Sequence, residues 1–174
     1  VIAMSFVYKM KSDYSFLSST ITIDDAISFC KTYKLDSFAL IDNNLHGSLQ
    51  FYYSCINANI KPIIGIEVKV KYKEEIYPLV LIAKNENGFK NISYISTSSY
   101  NSFIEFKNLS MYASNVIVVI SSEDSYINHL LKNNNIFAAN EFIDSLKMSF
   151  KDIYFGIYRY RNKNKKELDD FKEY

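Results

Sequence analysis

Apolar and polar positions along the chain predict strands and helices in alternation. Short apolar runs predict strands over residues 5–10, 38–41, 63–68, 116–120 and 153–158. Residues 69–82 alternate on either side of Lys73-Glu74-Glu75, which predicts a hairpin. The run 116–120 is the clearest buried strand and favours a parallel sheet covered on both faces. The repeated alternation indicates an α/β fold.

Helices are predicted where apolar residues recur three and four positions apart. Thr22 can cap a first helix, with Asp25 three residues on and an inner face of Ile23, Ala26, Ile27 and Cys30. A second helix begins near Gly47, with an expected inner face of Leu49, Tyr52, Tyr53 and Ile56. Further helices are expected over residues 88–99, 102–112, 122–131, 140–148 and, as a charged helix, 162–174.

Composition limits the classes of protein that the chain can belong to. Its 174 residues, 48% of them hydrophobic, can bury a core as one domain over residues 1–174. A net charge of +1 gives no bulk attraction to nucleic acid. No apolar run approaches the roughly 18 residues of a membrane span, so no membrane partner is expected. Cys30 and Cys55 fall on predicted helix faces as small hydrophobes, which favours a reduced, cytoplasmic setting.

Two of the predicted strands end close to a carboxylate. Asp42 follows the run 38–41, and Glu67 lies near the end of the run 63–68. The carboxyl ends of parallel strands are where chemistry collects in α/β folds, so both side chains are expected to point into one shared mouth. No GxGxxG or P-loop string is present, which argues against a nucleotide-binding α/β fold.

The same segment resembles the PHP (polymerase and histidinol phosphatase) domain of the alpha subunits of bacterial DNA polymerase III. The matching strings are Ile41-Asp42-Asn43, Gly47, Gln50-Phe51-Tyr52, NIKPIIGIE at 59–67 and LVLIAKNENGFKN at 79–91. The resemblance is good to about Tyr100. It implies a distorted (β/α)7 barrel whose last one or two strand–helix units lie beyond Tyr174, so the chain is expected to be a fragment. The polymerase palm, fingers and thumb are then absent, and DNA polymerisation cannot reside in this chain.

The resemblance also implies where a metal site would lie. Active PHP domains gather His, Asp and Glu ligands around two or three divalent metals for phosphoester hydrolysis. The corresponding positions here are Lys9, Lys11, Ser18, Asp42, Asn43, Glu67 and Pro78, with a weaker match at Gly156 and Tyr160. Only Asp42 and Glu67 keep side chains of the ligand type.

Lysine cannot replace histidine as a ligand, because an ammonium group has no lone pair to give. Each ammonium about 4 Å from a divalent cation would cost on the order of 8 kcal/mol at an effective dielectric constant of about 20. We therefore expect the metal site to be lost, with no cofactor and no catalytic residue in this domain.

Two arrangements of the remaining side chains are open. In the first, the ammonium group of Lys9 or Lys11 lies within about 4 Å of Asp42 or Glu67, with Tyr8, Ser12 and Asn43 completing the hydrogen bonds. In the second, both lysines lie in solvent and the carboxylates hold loops. The two histidines, His46 and His129, fall outside the expected ligand positions and are expected in surface or capping roles.

Two functions compete. The first is a metal-free, inactive PHP domain of a DNA-directed DNA polymerase (a nucleotidyltransferase). This domain serves as a structural or interaction module in DNA replication. Its partners would be the remainder of its own polymerase chain and, as in some family members, a proofreading exonuclease subunit, with DNA met only through the full polymerase. The alternative is an active metal-dependent phosphoesterase or 3′–5′ exonuclease, acting in proofreading or pyrophosphate hydrolysis.

Overall fold

The computed structural model describes residues 6–100, 102–157 and 171–172. The chain forms two compact units, Val1–Glu67 and Val68–Tyr174. Strands and helices alternate in both units, which confirms the predicted α/β class. In the described part of the chain, no helix has both the length and the apolar character that crossing a membrane requires. The single domain over residues 1–174 stays a prediction.

The first unit is built on three parallel strands. Its elements are β1 (Phe6–Met10), α1 (Ile23–Thr32), β2 (Ser37–Asp42), α2 (Ser48–Asn57) and the first part of β3 (Lys61–Tyr72). β2 pairs in parallel with β1 and with β3, and Asp42 lies opposite Ile66. β3 extends well past the predicted end, so Glu67 lies within the strand and not at its end.

The two helices of this unit enclose a small apolar core. The capping box predicted for α1 is present: Thr22 Oγ1 accepts from the Asp25 amide at 3.1 Å, and Asp25 Oδ2 accepts from the Thr22 amide at 3.2 Å. The core cluster contains Ile23, Ala26, Ile27, Cys30, Leu35, Phe38, Leu40, Phe51, Cys55 and Ile60. Both cysteines are free and fully buried, as expected of small hydrophobes.

The predicted inner face of α2 is wrong. Leu49, Tyr52, Tyr53 and Ile56 are 43–64% exposed, whereas Ser48, Phe51 and Cys55 are buried. α2 carries a second apolar pair, Phe51 and Cys55, four residues apart, and this pair packs against Phe38 and Cys30 of the core. Periodicity alone could not choose between two apolar faces on one helix.

The second unit continues from β3 through four further strands and four helices among the described residues. Its elements are β4 (Glu75–Ala83), α3 (Glu86–Ser98), β5 (Ile104–Glu105), α4 (Phe106–Ser110), β6 (Val116–Ser121), α5 (Tyr126–Lys132), α6 (Ile136–Ser149) and β7 (Asp152–Gly156). β3 and β4 are neighbours and form the predicted hairpin, which turns at Lys73 (φ 54°). β6 pairs in parallel with β7 but antiparallel with β4, so the parallel sheet favoured by the run 116–120 is found on only one side of β6. The hairpin reverses β4, and a buried apolar strand looks alike in either direction.

Several predicted helix boundaries also need correction. The helix expected over 102–112 is the two-residue strand β5 followed by α4. α5 is capped by Ser125 and not by Ser122, and α6 begins after Asn135 and not at Asn140. In both helices the cap side chain accepts from the amide three residues on, at 3.2 and 3.1 Å. The charged helix expected over 162–174 lies outside the described residues, apart from Phe171 and Lys172.

Candidate functional site

The first unit brings most of the predicted site residues to one edge of its parallel strands. Lys9 lies in β1, Lys11 follows that strand, Asp42 is the last residue of β2, Asn43 comes next, and Glu67 lies in β3. The strands run parallel with Asp42 opposite Ile66, so these five positions meet at the carboxyl end of β2.

Glu67 receives an ammonium group on each of its two oxygens. Lys11 Nζ donates to Oε1 at 2.6 Å, and Lys9 Nζ donates to Oε2. Lys11 Nζ also donates to Asn43 Oδ1 at 2.8 Å. The side chains of Lys9, Lys11 and Glu67 are only 17–22% exposed. The predicted contact between an ammonium group and a carboxylate is therefore confirmed, and the alternative with both lysines in solvent is wrong.

The electrostatics of this cluster keep Glu67 ionised. Burial raises the pKa of Glu67, but the hydrogen bonds and positive charges of Lys11 and Lys9 outweigh that effect and hold it below the ordinary value. An ionised Glu67 between two ammonium groups gives the three side chains together one excess positive charge. This cluster occupies the positions that the resemblance assigns to metal ligands.

Asp42 is held differently, by two serines. Its side chain is buried, with Oδ1 accepting from the Ser12 amide and from Ser15 Oγ, each at 2.7 Å, and Oδ2 accepting from Ser12 Oγ at 2.6 Å. Three hydrogen bonds therefore satisfy both oxygens of this buried side chain without a cation. Ser12 was expected in the hydrogen-bond set, but Ser15 was missed. The signal was the Ser12-x-x-Ser15 spacing after a strand, since the Ser15 amide donates to the Ser12 carbonyl at 2.9 Å and the turn brings both hydroxyls together.

Three further predicted positions, Ser18, Pro78 and Gly156, lie in the described part of the chain. Ser18 is exposed, and its amide donates to the Ser15 carbonyl at 2.9 Å. In the second unit, Pro78 is half-buried in β4 beside a small apolar cavity, and the Gly156 carbonyl accepts from the Ser122 amide at 2.8 Å. Tyr160 and the side chain of Tyr8 lie outside what the structure describes.

Both histidines lie on the surface, as predicted. His46 is exposed, and its amide donates to Asn44 Oδ1 at 2.9 Å. His129 is exposed on α5, with its ring 5.6 Å from that of Tyr77 and its Nε2 3.1 Å from the side-chain Nδ2 of Asn133. Neither contact suggests a role in chemistry.

The donor set at this edge does not fit a divalent cation. Within residues 6–100, 102–157 and 171–172, no three His, Cys, Asp or Glu side chains are grouped so that they could hold a metal ion. The Glu67 oxygens face two ammonium groups, and the Asp42 oxygens already accept from Ser12 and Ser15. A metal would have to displace both ammonium groups from Glu67 to gain a single carboxylate ligand.

Comparison with known proteins gives a consistent result along most of the chain. The model of the PHP domain family matches residues 8–159. The chain is 34% identical over 137 residues to DNA polymerase III subunit alpha of Bacillus subtilis, covering 74% of this chain and 12% of the relative. It is 33% identical over 168 residues to the Borreliella burgdorferi subunit, covering 86% of this chain and 15% of the relative. It is 28% identical over 172 residues to the Rickettsia bellii subunit, covering 93% of this chain and 15% of the relative. The chain thus spans only 12–15% of the length of these relatives.

Two solved structures are similar over about half of the chain. One is a proposed metal-dependent phosphoesterase from Bifidobacterium adolescentis, 13% identical with a TM-score of 0.45, covering 55% of this chain and 33% of its own. The other is an amidohydrolase from Chromobacterium violaceum, 15% identical with a TM-score of 0.42. The match covers 53% of this chain and 34% of the amidohydrolase chain. Both likenesses are too distant to inform the chemistry. By the family match over residues 8–159, the chain belongs to the PHP domain family.

Proposed function

We propose that this chain is the PHP domain of a DNA polymerase III alpha subunit, and that it serves as a structural and interaction module without metal or catalysis of its own. The long matches to such subunits support the parent protein. DNA-directed DNA synthesis would then belong to the rest of that protein, which would be the first partner of this domain. A proofreading exonuclease subunit is a second proposed partner. In this proposal the domain contacts DNA only as part of the full polymerase, and the protein is cytoplasmic.

One observation carries the metal-free part of this proposal. The two ammonium groups on Glu67 stand at positions where the family places metal ligands, and each repels a divalent cation. Asp42, the other remaining carboxylate, holds the loop after β1 through Ser12 and Ser15. Both carboxylates therefore have structural partners that a metal-binding role would require them to give up.

Metal content is the direct test. We expect the protein, purified without chelators and analysed by mass spectrometry of its metals, to hold zinc and manganese far below one ion per chain. We also expect no release of nucleotides from a labelled 3′ end and no hydrolysis of a simple phosphomonoester. Stoichiometric metal together with hydrolysis, both lost on Glu67→Ala, would replace this proposal with the phosphoesterase or exonuclease alternative.

A positive control shows that the assay can detect a working site. The triple substitution Lys9→His, Lys11→His and Asn43→His returns three imidazoles beside Asp42 and Glu67, so this variant should gain zinc affinity by calorimetry. The matched control carries histidine at three exposed lysines of the same unit, Lys31, Lys34 and Lys61. Wild-type protein that binds zinc as tightly as the first variant would contradict the proposal.

A further inference from the structure

The loop between β1 and α1 presents apolar side chains to solvent. In this segment, residues 13–21 and hereafter the Phe16 loop, Phe16 is 83% exposed and Leu17 is 92% exposed. Tyr14 and Ile21 are 39% and 44% exposed. Because Phe16 and Leu17 bury so little surface, they contribute almost nothing to the core of their own unit.

The Phe16 loop is nevertheless firmly held. The Asp13 amide donates to the Ile21 carbonyl at 2.9 Å and closes the base of the loop. Ser15 Oγ donates to the buried Asp42 at 2.7 Å, and Asn44 Nδ2 donates to the Tyr14 carbonyl at 2.9 Å. The Tyr14 hydroxyl donates to Gln50 Oε1 on α2 at 2.8 Å. These contacts fix the backbone on both sides of the two exposed side chains, which is the preorganisation that favours binding.

Leu17 adds a second unusual feature. Its φ of 60° lies in the left-handed region, which is unfavourable for a residue with a Cβ. Leu17 adopts this unfavourable backbone conformation although its side chain packs against almost nothing in its own unit. The fold of the unit alone therefore gives no reason for a leucine at this position.

Charge around the loop identifies the kind of partner. Residues 12–30 contain Asp13, Asp24 and Asp25 and no Lys, Arg or His, and all three carboxylates are exposed. The nearest cation along the chain, Lys11, is engaged by Glu67 and Asn43. An apolar tip flanked by carboxylates repels the phosphates of nucleic acid and of anionic lipid. It complements a protein surface that is apolar at its centre and basic around it.

We propose that the Phe16 loop docks into a second protein, through an apolar pocket bordered by Lys or Arg side chains. Phe16 and Leu17 enter the pocket, and Asp13, Asp24 and Asp25 face its basic border. This inference deepens the proposed interaction role by naming a surface and the chemistry of its partner. It does not depend on the absence of metal.

Site-specific crosslinking in cells identifies the partner. Phe16 is replaced by the photoreactive benzoylphenylalanine in the full-length parent protein, and crosslinked peptides are mapped by mass spectrometry. We expect crosslinks to one protein, at an apolar pocket with Lys or Arg within its border. The control places the same amino acid at Phe137 on α6, which is 82% exposed, and should not capture that protein. Crosslinks to another part of the parent polymerase chain, to nucleic acid, to lipid or to many proteins, or none at all, would overturn the proposal.

Affinity for the purified partner then tests the roles of the side chains. Phe16→Ala and Leu17→Gly should each weaken binding at least tenfold, as for central interface residues, and the glycine retains the left-handed backbone. Asp24→Lys should also weaken binding to the partner, and it should reduce the dependence of the binding affinity on salt concentration. Phe137→Ala should leave it unchanged, and an equal loss in that variant would refute a specific site. Metal found in the protein would refute the metal-free proposal but leave these binding results intact.

Discussion

The Glu67 carboxylate balances two ammonium groups that would otherwise repel each other in a mostly buried position. Replacing it with a neutral amide therefore removes more than one ion pair. We expect Glu67→Gln to lower the free energy of unfolding by about 2 kcal/mol, between the values typical of exposed and of fully buried pairs. Urea denaturation at pH 7 measures this loss. Glu141→Gln, which breaks the exposed pair with Lys73, is the matched control, and a loss as large there would contradict the prediction.

The same residue predicts a pH dependence. The pKa of Glu67 is lower in the folded protein than its ordinary value, so its contribution is complete above the ordinary glutamate pKa of about 4.3. The contribution is lost as the pH falls through the lower folded value, because the unfolded chain then binds the proton more readily. Unfolding measured from pH 7 to pH 3 should show a smaller acid-induced loss in Glu67→Gln than in wild type. Parallel curves for the two proteins would argue against this role.

Asp42 supports the loop after β1 through three hydrogen bonds. Asp42→Ala leaves the Ser12 amide and two hydroxyls without their acceptor in a buried place, so we expect a loss of about 3 kcal/mol. Asp42→Asn keeps one carbonyl oxygen and should lose about half as much. Hydrogen exchange provides a local measurement, because the Ser12 amide should lose its protection in Asp42→Ala. An Asp42→Ala variant with wild-type stability and exchange would refute this role.

At this scale the sequence predicted, as one of two open arrangements, a contact of Lys9 or Lys11 with Asp42 or Glu67, but it did not predict the serine contacts of Asp42. The contact followed from the family positions, because they place two lysines close to two carboxylates and opposite charges attract. Serine hydroxyls carry no charge and no fixed direction, so the Ser12-x-x-Ser15 spacing by itself did not show that Ser15 would reach Asp42. That contact depends on a turn of the loop and on its position beside β2.

At the scale of elements, α3 packs so closely on the turn before β6 that only glycine fits at position 88. A Cβ on Gly88 would lie 2.1 Å from the Asn115 carbonyl oxygen, which is backbone and also accepts from the Lys84 amide. We expect Gly88→Ala to destabilise the protein by at least about 3 kcal/mol, because a backbone must move. Thermal unfolding followed by circular dichroism measures the loss.

Gly47→Ala is the matched control for that experiment. Its Cβ would lie 2.6 Å from the Tyr14 ring, which can rotate away at the cost of its bond to Gln50. The expected loss is about 1 kcal/mol. A Gly88→Ala variant no less stable than Gly47→Ala would show that α3 can shift without cost.

The sequence predicted the positions of the helices and strands better than it predicted the buried faces and the end points of the helices. Strand positions followed from the apolar runs, and the hairpin at Lys73 followed from alternation. The buried face of α2 did not, because Leu49, Tyr52, Tyr53 and Ile56 match helical spacing as well as Phe51 and Cys55 do. The caps Ser125 and Asn135 were missed because Ser122 and Asn140 are equally good cap residues. Tertiary packing decided each of these cases.

At the scale of the whole molecule, the two buried thiols report unfolding of the first unit, which contains both of them. Burial, with a smaller contribution from Cys30, raises the pKa of the Cys55 thiol to about 12, and burial also raises the pKa of Cys30. Since the thiolate is the reactive form, neither residue should react with a disulfide reagent in the native state. We expect labelling rates to follow unfolding across a urea series. Fast labelling of either cysteine in native conditions would show local opening of the core that contains them.

The sharing of Glu67 by two lysines has a further consequence for how sequences can diverge. Losing either Lys9 or Lys11 alone still leaves one ammonium group on the carboxylate, so each single substitution should be mild. Replacing both lysines leaves the mostly buried Glu67 carboxylate without a cation. The loss of stability in the double variant should therefore exceed the sum of the losses in the two single variants. The pair therefore provides mutational robustness: either lysine can drift while the other remains, and epistasis forbids only the simultaneous loss.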